Sequence, residues 1–517
     1  MLTDLADRYG NPREPAGIPD AIAGGAVSKV DQRNFYLHYL RGLAALFVVL
    51  YHCSEYLSVY RGDHRFLSIF GGFLGAYGVA IFFAISGYLI AEVLRRDDPA
   101  RFVMSRVARI YPLMLIMVGL FALALLLVGA PRGINLISLS LVPSGPRGYF
   151  LAVEWTLLYE MSYYIGLGLL GFVGLAAFRT RIVIAWLGLL CFAYSLGGRE
   201  HVEGLPILSD IPLSIVTLPF LLGYLASEAQ SRGWLHPLLA CLALPLAIAS
   251  ILPQEAHFRL FIGLSASFLV AGLICAPAVG SRGWLSRAGA RLGDASYALY
   301  LCHVPMITIL GALLGAAAPA PLVWVSWLIG SIGVALLLGP LDVALYRRLK
   351  RAIDAARPAR LRAAALAFTA AFLVIAFVTG REARQAEAQL EQARRILMTP
   401  TLSEGEAVRA DVDQVERLPK GTWVIRGYAI DLAAPDLVAH FAIRQNGSIL
   451  GIVGMRRVRP DMVTMFERPD LKGKRFGFML LLDGVDCAKG PLEGFIAIED
   501  GRAVQLPADR LSTLCLQ

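Results

Sequence analysis

The chain has 517 residues, 57% of them hydrophobic and 17% charged, with a mean hydropathy of +0.61 and a formal net charge of +9. That balance lies outside the range of soluble globular proteins. The positive charge sits largely in short connections between apolar runs, so it reports orientation in a membrane and gives no reason to expect a nucleic-acid partner. The expected fold class is a polytopic α-helical membrane protein of about 10 to 11 transmembrane helices with a small C-terminal β-sandwich domain. The seven cysteines show no metal-ligand spacing, and no metal is expected.

Residues 1–34 are polar, rich in Gly and Pro, and lack the apolar core of a cleavable leader, so they are expected to form a disordered cytosolic tail. Eleven apolar runs follow, near 36–57, 72–93, 110–130, 149–176, 182–197, 207–226, 236–252, 260–280, 296–317, 321–345 and 363–379. With the N-terminus inside, the arginine-rich connections fall on the cytosolic side, among them Arg95, Arg96, Arg101, Arg106 and Arg109. The membrane domain then covers 35–350, and an additional transmembrane helix covers 351–380. An odd number of spans places everything after Gly380 outside. Residues 381–400 read as a solvated helical stalk, and 401–517 as a periplasmic β-sandwich in which Asn446-Gly447 makes a hairpin turn. Cys487 and Cys515 would meet an oxidising compartment there and are expected to pair.

Charged residues inside apolar runs are the informative ones, because an arginine at the centre of a membrane helix costs about 2.5 to 3.5 kcal/mol. The run from Phe35 to Leu57 carries both Arg41 and His52, eleven positions apart. At about 100° and 1.5 Å per residue they share one helix face and lie about 16 Å apart along it. His38, nearer the helix start, reads as an interface residue, and Ser86-Gly87 reads as a close helix contact. Arg106 and Arg109 share a helix face at i and i+3, placed to grip phosphates. Glu160 falls near mid-membrane, where an unpaired carboxylate must be neutral or partnered by Arg41, His52 or another polar group. Tyr297, Tyr300 and His303 could line the same interior.

Taken in order, Arg41-x10-His52, FFAISGYL at 82–89, RVARIYP at 106–112, WTLLYE at 155–160 and YALYLCHVP at 297–305 resemble the successive signatures of the acyltransferase-3 family of membrane O-acyltransferases. The resemblance covers about residues 33–350; Thr156 replaces the usual serine, and Asp342 stands where a family glutamate is looked for. It implies an enzyme of the bacterial inner membrane that moves an acyl group, usually acetyl from acetyl-CoA, to a hydroxyl of an exported, cell-surface or lipid-linked glycan. On that reading His52 is the general base, Glu160 orients it, and Arg41 binds the donor's anionic groups or polarises its thioester. Arg106, Arg109, Tyr297 and His303 complete the donor path, His303 being alternatively a second catalytic histidine. The C-terminal region weakly resembles β-sandwich modules attached to bacterial glycan-processing enzymes, while Arg459-Pro-Asp461 within it is equally a turn with a local ion pair. A transporter or flippase of a glycan or lipid-linked intermediate, or a silent membrane scaffold, also places charges in a bundle; membrane lipid is a partner in each case, and a homo-oligomer stays open.

Overall fold

The computed structural model describes residues 29–197, 206–251, 257–277, 284–315, 317–398, 407–417, 422–482, 485, 487–507 and 511. The expected tail lies outside these residues as far as 28, and the first helix already begins at Lys29. The expected cysteine pair also falls outside them, at Cys515.

Each apolar run carries helix. In chain order these are α1 (Lys29–Arg61), α2 (Gly72–Leu94), α3 (Pro99–Leu127), a single turn α4 (Leu136–Leu139), α5 (Trp155–Phe172), α6 (Arg179–Ser195), α7 (Leu218–Ser231), α8 (Ala243–Ile251), α9 (Phe258–Leu273), α10 (Trp284–Leu314), α11 (Ala320–Ala355) and α12 (Pro358–Met398). Among the described residues, seven helices are long and apolar enough to cross a membrane: those carrying α1, α2, α3, α6, α10, α11 and α12. Of the other expected spans, α7 to α9 are shorter, and α5, although 18 residues long, is made less apolar by Glu160 and its tyrosines. Around α7 and α8 the reason is local, since Pro212 and Pro237 open 3₁₀ turns at Ile211–Leu213 and Pro237–Leu242 where a continuous helix would lose a hydrogen bond. Leu126 and Leu127 on α3, Phe192 on α6, Leu337 on α11 and Phe377 on α12 stay exposed, the surface expected of helices that face lipid. The protein is a multi-pass membrane protein.

α1 packs on α2 and α10, α10 on α11, and α2 on α7. A Cβ at Gly87 would lie 2.0 Å from the Phe220 carbonyl oxygen, and one at Gly223 would lie 2.0 Å from that of Ala84, so α2 and α7 meet backbone to backbone. His38 ties α1 to α10 through the Ala290 carbonyl at 2.9 Å. One end of the bundle is laced by Arg95–Glu228 at 3.0 Å and Arg101–Asp354 at 3.5 Å. At the opposite end, Arg61 donates to the Ala318 carbonyl at 2.6 Å, while Arg147 pairs with Glu382 and Arg384 donates to Ser209, both at 2.8 Å.

The expected stalk is the C-terminal part of α12, which runs without a break out of its apolar segment. It carries an all-β module of two antiparallel four-stranded sheets: β1 (Val408–Arg417), β2 (Trp423–Asp431), β3 (Ala439–Gln445), β4 (Ser448–Gly454), β5 (Arg457–Val458), β6 (Arg475–Leu482), β7 (Leu492–Ile498) and β8 (Ala503–Gln505), in the orders β1-β2-β6-β5 and β4-β3-β7-β8. The stacked rings of Phe441 and Phe478, 4.2 Å apart, join the two sheets. Asn446 and Gly447 both take positive φ in the hairpin between β3 and β4, as an Asn-Gly turn requires. A further short helix, α13 (Pro460–Met465), follows β5. There Arg459 pairs with Asp461 at 2.6 Å and also with Asp413, so the Arg-Pro-Asp segment is an ion-paired turn. The module is fixed to α12 by Ala393 and Leu397, which pack on Ala442, Phe495 and Ala497.

Candidate active site

A cavity of about 130 Å³ opens among α1, α2, α3, α5 and α10, walled by apolar residues such as Val79, Phe83 and Leu157. Set into that wall are Arg41, Arg106, Arg109, Glu160, Tyr297 and Tyr300, from four helices distant in the chain. The amphipathic spacing within each helix turns these polar groups inward while the lipid face stays apolar.

The polar groups are unequally engaged. Arg109 donates to Asp342 of α11 at 2.6 Å, and its guanidinium lies 5.2 Å from the Tyr297 ring. Tyr297 itself donates to the Ile110 carbonyl at 2.8 Å. Among the described residues Arg106 makes only a long contact of 3.4 Å with Ser105. Arg41, by contrast, has no side-chain hydrogen bond or ion pair among the described residues, yet it lies within electrostatic reach of Glu160 and Asp342. Glu160 accepts from Tyr164 at 3.0 Å, and the Tyr164 hydroxyl is in turn 2.9 Å from that of Ser86. A cation that faces a cavity without a hydrogen-bond partner is a group ready for an anionic ligand.

The cavity lining ends at Thr156 and Tyr300, whose hydroxyls are 2.7 Å apart. One helical turn beyond Tyr300, His303 is fully buried, and its Nδ1 lies 3.1 Å from the Leu299 carbonyl. A carbonyl can only accept, so this nitrogen carries the proton and Nε2 of a neutral His303 is an acceptor. That acceptor lies 3.0 Å from His52 Nδ1, which therefore donates. His52 also hydrogen-bonds to the Val48 backbone one turn earlier; with Nδ1 carrying the proton of a neutral His52, Nε2 has the lone pair that a general base needs.

Every site residue anticipated from the sequence thus falls in one of two groups. Arg41, Arg106, Arg109, Glu160 and Tyr297 meet at the cavity, whereas His52 and His303 pair beyond it. The expected link from Glu160 to His52 takes another form: Glu160 bonds to Tyr164, and the side chain bonded to His52 is that of His303. Tyr164, Ser86 and Asp342 were not anticipated as site members. Tyr164 stands four residues after Glu160, one turn along the same helix face, and that spacing was the available signal.

The site is an arginine- and carboxylate-lined cavity beside a histidine pair inside a helical membrane bundle, and the family match gives its class as a membrane-embedded transferase. The acyltransferase domain family (acyltransferase-3) matches residues 34–339, more than half of the chain, and the protein belongs to this family. It is also similar to the exopolysaccharide production protein ExoZ of Rhizobium meliloti (strain 1021), at 28% identity over 350 residues, covering 62% of this chain and 100% of that one. No solved structure matches it. The helix α12 and the β module lie beyond the family match.

Proposed function

We propose that this acyltransferase moves an acetyl group from cytosolic acetyl-CoA to a hydroxyl of an exported or cell-surface glycan. The observation that carries the reading is the pairing of an arginine-lined cavity, with Arg41 uncommitted, to a histidine whose second ring nitrogen is kept free. The similarity to a protein named for exopolysaccharide production supports a glycan as acceptor. The arginine-rich connections lie at the bundle end opposite the β module, which supports a cytosolic N-terminus, a periplasmic module and an inner-membrane location.

In this mechanism Arg41, with Arg106 beside it, binds the anionic part of the donor and holds the thioester toward Thr156 and Tyr300. His52 Nε2 takes the proton from the acceptor hydroxyl as its oxygen bonds to the carbonyl carbon; the C–S bond then breaks and the proton passes to the departing sulfur. His303 keeps His52 in the required tautomer. Glu160, held by Tyr164, balances Arg41 across the cavity. Base catalysis of this kind contributes about 10² to 10⁴-fold, and holding donor and acceptor in register supplies much of the remainder.

Arg41→Ala tests the donor half. Loss of a charge-assisted hydrogen bond should raise the KM for acetyl-CoA by about tenfold or more, read in reconstituted membranes at matched protein level. An unchanged KM would remove Arg41 from the donor site.

A further inference from the structure

The β module has a concave site of its own. A pocket of about 280 Å³ lies between the end of β2, the start of β3, the residue after β4 and the start of β6, and is lined by Asp431, Asp436, Lys474 and Arg475 over Ile430 and Phe476. Asp431 is held firmly: its carboxylate accepts from the Ala433 and Ala434 N–H groups at 2.8 and 3.2 Å and pairs with Arg502. Lys474 pairs with Asp436 at 2.7 Å. Arg475 in the lining, and Arg456 and Lys472 beside it, are exposed and have no ion pair among the described residues. Asp431, its side chain buried and both oxygens engaged, therefore fixes the wall of the pocket, while the exposed Asp436 is the acceptor for hydroxyl groups and Arg475, with Arg456 and Lys472 adjoining lining residues in the chain, supplies uncommitted donors for an anion.

Its direction follows from the contacts on α12. Gln392 donates to the Glu499 carbonyl at 2.8 Å, beside the first residues of β3, whereas Arg444 near the end of β3 donates to the Leu397 carbonyl at 3.0 Å. β3 thus runs away from the membrane bundle, and the pocket, beside the start of β3, lies at the end of the module nearer to it. The eight residues from Arg384, which touches the bundle's outer loop, to Gln392 rise about 12 Å at about 1.5 Å each.

We propose that this pocket binds an acidic segment of a glycan chain, so that the module holds the acceptor over the outer end of the transmembrane domain. The proposal rests on the glycan-acceptor reading above and adds where the glycan is held and what charge it carries there. A concave site with both acceptors and donors fits a sugar carrying a carboxylate better than it fits the flat surface of lipid headgroups.

The test uses the full chain in phosphatidylcholine nanodiscs, with trigalacturonate as acidic probe, maltotriose as neutral probe and phosphatidylglycerol vesicles as the lipid arm. Trigalacturonate should bind more tightly than maltotriose, and the double variant Arg456→Glu, Arg475→Glu should weaken it by about tenfold or more. The melting temperature and the rate of acetyl-CoA hydrolysis should stay unchanged in that variant, while the KM for the acceptor glycan rises and kcat is kept. Equal binding of trigalacturonate by wild type and variant, no binding by wild type at millimolar probe, or a charge dependence seen only with phosphatidylglycerol vesicles would each overturn the proposal. Charge-dependent trigalacturonate binding by a chain that acylates no glycan would leave the site standing and reject the proposed reaction.

Discussion

At the scale of single residues, the chemistry turns on two histidines contributed by helices 251 positions apart in the chain. Spacing alone placed Arg41 and His52 on one face of α1, because the helical period is a local rule. The bond from His52 to His303 depends on how α1 packs against α10, and no local rule carries that information. The same limit hid the Arg109–Asp342 pair between α3 and α11. His303 acts here through His52 as a positioning residue, and substitutions can separate that role from simple packing. His303→Ala should lower kcat by about 10²-fold with little change in the KM for acetyl-CoA, whereas His303→Gln, whose amide oxygen can accept from His52 Nδ1, should recover part of the loss. Equal loss in both variants would assign His303 to packing alone.

At the scale of elements, the strands with strong apolar alternation (β2, β3, β4, β6 and β7) were legible, as was the Asn-Gly hairpin. β1 was not. Its sequence VRADVDQVER is dominated by charged and polar residues, which suits a strand at the edge of its sheet and masks its strand character. Eleven apolar runs were legible too, but their lengths depended on prolines whose effect on α7 and α8 shows only in three dimensions. The module also carries a pH signature. Burial alone would push the Asp431 carboxyl up, yet the hydrogen bonds from Arg502 and from the Ala433 and Ala434 N–H groups outweigh it and hold it below its ordinary value. Its contribution to stability is therefore present above the unfolded carboxylate value of about 3.9 and is lost as pH falls through the lower folded value. Thermal melts of the full chain should show the module transition dropping below about pH 4, and Arg502→Met should flatten that drop. A transition in Arg502→Met with the same acid dependence as wild type would locate the titrating group elsewhere.

At the scale of the whole molecule, α12 joins two units that the sequence separated clearly by composition: an apolar bundle and a β-rich module. Their mutual placement came from contacts such as Arg147–Glu382 and Gln392–Glu499, between residues far apart in the chain. Orientation in the membrane is the corresponding prediction. A cysteine placed at the exposed Ser448, next to Gly447 at the module's far end, should react with a membrane-impermeant thiol reagent once the outer envelope is opened and the inner membrane left intact. Labelling that needs inner-membrane disruption would put the module in the cytosol. The most direct measurement of the proposed chemistry is transfer of radiolabelled acetyl from acetyl-CoA into surface glycan, in membranes holding matched amounts of wild type, His52→Ala and Cys53→Ala, the last removing the buried thiol beside His52 that an acyl-enzyme route would use. Label should enter glycan with wild type and Cys53→Ala and fall by about 10² to 10⁴-fold with His52→Ala; full transfer by His52→Ala would contradict a histidine base at this site.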